Sequence, residues 1–79
     1  MDFIWDEANE GHIHAHGVTV VEAEDVFYGD FVVLGEGLRE AEHRIRILGA
    51  TVGTRFLVVV YTERPDGIRV VTAFPAGSA

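Results

Sequence analysis

Glu42, His43, Arg44 and Arg46 follow one another closely, and Arg55, Tyr61 and Arg69 recur further along. Guanidinium groups hold anions through a planar fork of N–H donors, and a Glu or His beside them can take or give a proton. The chemistry these types suit is capture of an anion such as phosphate, with proton transfer next to it. All six basic side chains are arginines and all lie after residue 38, whereas the first 38 residues carry nine carboxylates. The formal charge of −7 therefore divides into −9 and +2. An acidic chain repels nucleic acid as a whole, yet arginines gathered on one face still hold phosphate.

His12, His14 and His16 form a second cluster. On a strand all three align, but on a helix only His12 and His16 share a face. The segment reads as a helix, so the most it offers a metal is two ligands that need an outside carboxylate. No native metal and no other cofactor is expected. His16, in the last turn before Gly17, is placed to interact with the helix carbonyls, and His12 and His14 are expected to be partly exposed. The chain has no cysteine, which excludes disulfides, thiolate zinc sites and thiol catalysis. Phe3 and Trp5 read as core residues rather than as a platform for stacking bases.

Helices and strands must position these groups. Asp6 is a good N-cap for a helix reaching His16, with Gly17 as the left-handed residue that ends it. Gly11 weakens that helix by about 1 kcal/mol relative to Ala. Thr19-Val20-Val21-Glu22 is a capping box, Val18 and Ala23 form a hydrophobic staple, and Val20, Ala23, Val26 and Phe27 make one apolar stripe. A second helix to about Tyr28 follows. After Gly29 the pattern changes to strands at Phe31 to Leu34, Ala41 to Leu48, Arg55 to Thr62 and Ile68 to Phe74. Gly35-Glu36-Gly37, Gly49 to Thr54 and Pro65-Asp66-Gly67 read as the turns between them. The expected fold class is α+β, with two N-terminal helices packed on one face of a mostly antiparallel sheet.

Alternation along the strands locates the arginines. His43, Ile45 and Ile47 point one way, and Glu42, Arg44 and Arg46 the other. If the apolar sets face the helices, the opposite face carries Arg44 and Arg46, joined by Arg55, Tyr61 and Arg69, with Glu42 at its edge. At 79 residues the chain is one domain, residues 1–79, that buries only about 60–65% of its unfolded surface, so a partner or a homodimer would add to its core. Its longest apolar stretch, Phe56 to Tyr61, is far short of the roughly 20 residues that span a bilayer. The N-terminus lacks a signal-peptide layout, and a soluble, cytoplasmic protein is expected.

Several segments then occur in an order that resembles a known family. Phe3-Ile4-Trp5-Asp6-Glu7 is followed by His16-Gly17-Val18-Thr19, Glu22-Ala23 and Val26-Phe27, then by Arg44 with Gly49 five residues on, Leu57 to Thr62, and Ile68-Arg69-Val70-Val71-Thr72-Ala73. Together, over residues 3 to 74, these look like the BrnT-type toxins. The resemblance implies a RelE-like fold and a small, metal-independent endoribonuclease, neutralised by a ribbon-helix-helix antitoxin. It implies Glu42 or His43 as base, Arg44 and Arg69 at the phosphate, His16 as an orienting or acidic group, and Arg46, Arg55 and Tyr61 as substrate contacts. Where the family usually has a basic residue, Glu and a basic segment, this chain has Ala15, His43 and Ala73-Phe74-Pro75-Ala76. The alternative expectation is a catalytically inactive interaction module on the same scaffold.

Overall fold

The computed structural model describes residues 1–77. Strand β1 (Phe3–Ile4) leads into helix α1 (Glu7–Ala15), then helix α2 (Val20–Tyr28), and strands β2 (Phe31–Arg39), β3 (Glu42–Ala50), β4 (Phe56–Arg64) and β5 (Gly67–Pro75) follow. The sheet order is β1-β5-β4-β3-β2. Its β2 to β5 strands form an antiparallel meander, and β1 adds in parallel to β5, pairing Phe3 with Ile68. The α+β arrangement with N-terminal helices on the sheet is the one expected.

Both helices begin as their residues dictate. Asp6 Oδ1 accepts from the Asn9 backbone N–H while the Asn9 side chain accepts from that of Asp6, and Thr19 and Glu22 make the same reciprocal pair. Gly17 takes the left-handed conformation, φ 76°, just beyond α1. Helix α2 lies over β3 and β4, and α1 packs on β5. Between helices and sheet sit Ile13, Val18, Ala23, Val26, Ile45, Ile47, Leu57, Val59, Val70 and Ala73, all buried. Gly49 allows α2 its close approach, because a Cβ there would stand 2.9 Å from Val26.

One turn expected from the sequence is corrected. Gly35-Glu36-Gly37 is not a turn but part of β2, which continues to Arg39. The true reversal is Glu40-Ala41, where φ is 54° and 65°, the left-handed pair that a two-residue hairpin demands and that non-glycine residues rarely adopt. Turn composition therefore pointed to the wrong residues.

Two register shifts matter more. Leu34 is extra in β2, because Val33 pairs with Ile47 and Gly35 with Arg46. Val71 is extra in β5, because Val60 pairs with Thr72 and Tyr61 with Val70. Such bulges reverse which face later residues occupy. Without the second, Arg69 would share a face with buried Ala73; with it, Val70 and Ala73 both reach the core and Arg69 is sent to the opposite face.

Candidate active site

That opposite face holds an open cavity of about 950 Å³ whose lining includes Arg44, Arg46, Arg64 and Arg69 from β3, β4 and β5. Arg39 and Glu40 form its rim beside Gly37, and Asn9 and His12 of α1 close the other side. Glycine makes the floor deep enough. Gly35 and Gly37 stand opposite Arg46 and Arg44 in the β2–β3 ladder, and a Cβ on Gly35 would lie 2.8 Å from Arg46 Nη2. The Arg46 side chain thus rests across bare β2 backbone.

The guanidinium groups differ in what occupies them. Arg44 Nε donates to Glu42 Oε1 at 3.1 Å and Arg64 Nη2 donates to Glu42 Oε2 at 3.1 Å. Arg69 Nη1 donates to Asp6 Oδ2 at 2.6 Å. Arg46 and Arg39 have no ion pair among the described residues. The hydrogen bonds from Arg44 and Arg64 hold the Glu42 carboxyl below its usual range, and the Arg69 hydrogen bond, followed by the Asn9 backbone N–H, does the same for Asp6. Thr72 Oγ1, in the same lining, is buried with no partner among the described residues.

Of the eight residues picked out in the sequence, Glu42, Arg44, Arg46 and Arg69 meet in this cavity. The other four lie elsewhere. His43 is on the helix side, where its Nε2 meets Glu36 Oε1 at 3.0 Å and its backbone carbonyl accepts from Thr62. Arg55 donates from Nη1 to the Gly17 carbonyl at 2.9 Å and to Glu22, tying the helix junction to the start of β4. Tyr61 packs its ring on Phe27, centroids 5.0 Å apart, and burial pushes its hydroxyl pKa up. Strand β4 is apolar on both faces, so alternation alone could not say which side Arg55 and Tyr61 take. His16 stacks on His12 at 5.9 Å and approaches Phe74.

The cavity also recruits residues that sequence reading did not select: Arg39, Arg64, Asn9 and His12. His12 was visible as the partner of His16 one helical turn away, but nothing in the sequence showed that this helix face borders the arginines. Among the described residues no three His, Cys, Asp or Glu side chains are grouped to hold a metal ion. No helix among them is long and apolar enough to cross a membrane.

No curated protein matches the chain. The family model describing the BrnT ribonuclease toxin of type II toxin-antitoxin systems matches residues 5–78, nearly the whole length. The stretch it spans runs from Trp5, through the helix that carries His12, to the strand that carries Arg69, so the elements that build the cavity all lie within it. The chain therefore belongs to the BrnT family of ribonuclease toxins.

Proposed function

We propose that this toxin cleaves RNA in the arginine-lined cavity on the sheet face away from α2. The observation that carries the reading is Arg46, a guanidinium laid over Gly35 in that cavity without a carboxylate partner. A backbone phosphate entering there gains two forked donors from it, and Arg39 offers a second uncommitted cation at the rim. Arg44 and Arg69 flank the phosphate while Glu42 and Asp6 hold them in place.

Cleavage of this kind needs the 2′-hydroxyl deprotonated, charge on the pentacoordinate phosphorus stabilised and the departing 5′-oxygen protonated. Glu42 stays ionised between two arginines and is thereby a weak base, so its better role is to fix Arg44 and Arg64. Imidazole is the side chain suited to proton transfer near neutral pH, and His12 brings one to the cavity. His16, stacked against it, orients that ring. RNA as substrate, the cytoplasm as setting and a ribbon-helix-helix protein as antitoxin complete the proposal.

The test is cleavage of single-stranded RNA by the purified toxin. Arg46→Ala is expected to lower kcat/KM about 10²-fold, with unchanged circular dichroism. Activity within twofold of the parent overturns the assignment.

A second reading rests on a separate observation: Arg44, Arg64 and Arg69 already satisfy Glu42 and Asp6. A chain that binds its antitoxin tightly, yet leaves RNA intact at every concentration, is an interaction module instead.

A further inference from the structure

The sheet has two outer edges, and the fold treats them differently. At one end β5 is flanked by β1 and by α1, whose Asn9 Nδ2 donates to the Val70 carbonyl at 2.9 Å. At the other end β2 is paired only with β3, so its outer row of N–H and C=O groups faces outward for nine residues. Natural edge strands are usually short, broken by proline or guarded by inward-pointing charge. The first half of β2 has none of these. Phe31, Val32, Val33 and Leu34 are 39%, 58%, 56% and 48% exposed, on both faces of the strand. Leu38, near the far end, is 77% exposed.

We infer that this edge is the toxin's docking strand for its antitoxin: an extended antitoxin segment, apolar at alternate positions and bearing Lys or Arg at its ends, adds to β2 as a sixth strand. Main-chain hydrogen bonds supply the ladder, and Val32 and Leu34 on one side with Phe31 and Val33 on the other supply the apolar contacts. Charge selects the occupant. Asp30 precedes the apolar run, Glu36 and Glu40 follow it, and Arg39 is the one nearby cation of the strand. A second copy would bring the same acidic flanks and its own −7 against this chain's −7, whereas a basic segment is attracted.

The position also explains neutralisation, a consequence that rests on the proposed cleavage site. Glu36, Gly37, Leu38 and Arg39 of β2 form one wall of the arginine cavity. A strand laid along their outer edge brings partner side chains to the rim at Arg39, where an acidic group closes the entrance that RNA would use.

The probe is the ribbon-helix-helix antitoxin proposed above. Hydrogen exchange of the complex is expected to show new protection of the Phe31–Leu34 amides. Val32→Lys and Leu34→Lys, each placing an edge charge at an exposed position, should weaken the complex at least about tenfold, roughly 1.4 kcal/mol. Both should leave the melting temperature and RNA cleavage of the free toxin unchanged, so a failed docking strand is distinguishable from a failed cleavage site. Unchanged exchange at 31–34 with unchanged affinity overturns the inference. So does a free toxin that is already dimeric in light scattering and becomes monomeric in Val32→Lys, because the edge then belongs to a second copy.

Discussion

Asn9 ties three elements through one amide. Its Oδ1 accepts from the Asp6 N–H at 2.7 Å, and its Nδ2 donates at 2.9 Å both to the Ile4 carbonyl of β1 and to the Val70 carbonyl of β5. The residue is only 2% exposed, so those carbonyls have little water to turn to. Asn9→Ala should cost about 2–4 kcal/mol, because it leaves buried acceptors unmet and removes half of the capping box. Urea unfolding followed by tryptophan fluorescence measures it, since Trp5 stands beside this junction and donates to Glu24 at 2.8 Å. A loss below about 1 kcal/mol would mean that water replaces the amide at no great cost. At this scale the sequence was partly legible. Asp6 announced itself as a cap by residue type, but the long-range partner of Asn9, 61 positions away, has no local signature.

Among the elements, the β2–β3 hairpin departs furthest from local preference. Glu40 and Ala41 both sit in left-handed backbone, where a Cβ costs about 1–2 kcal/mol relative to glycine. Ala41→Gly is therefore expected to raise stability by about 0.5–1 kcal/mol, after allowing for the added freedom of the unfolded chain. A fall in the denaturation midpoint on this substitution would show that the turn carries no such strain. The same hairpin explains why turns were harder to read than helices. Both helix starts and the four long strands followed from capping residues and apolar periodicity, with strand ends off by at most five residues. Gly35, however, serves the Arg46 side chain that lies across it rather than a turn. The face taken by Arg69 depends on a bulge at Val71, which periodicity cannot reveal, and yet that bulge delivers it to the cavity. Glu42, Arg44 and Arg46 met there because β3 alternates cleanly, whereas Arg55 and Tyr61 were misplaced because the two apolar faces of β4 look alike.

Across the whole molecule, three carboxylates act as fasteners. Asp6 holds α1 to β5 through Arg69, Glu22 joins α2 to β4 through Arg55, and Glu42 bridges Arg44 and Arg64 of β3 and β4. All three have folded-state pKa values below the ordinary 3.8 for Asp and 4.5 for Glu; for Glu22 the Thr19 backbone N–H leads, with Arg55 behind it. The folded protein thus binds protons less readily than the unfolded chain, so these groups contribute fully above their unfolded values and lose that contribution as pH falls through the folded ones. The melting temperature should hold near pH 7 and drop on acidification below about pH 4.5, more weakly in high salt because the pairs are exposed. A flat profile down to pH 3 would show the fasteners to be idle. Strand order has a consequence for the growing polypeptide as well. The first strand pairs with the last, and the cavity draws His12 from one end of the chain and Arg69 from the other. As the chain leaves the ribosome N-terminus first, its arginines cannot assemble into one receptor until the final β segment has emerged and docked. Cleavage in that cavity, as proposed, therefore waits until β5 has been made and has docked.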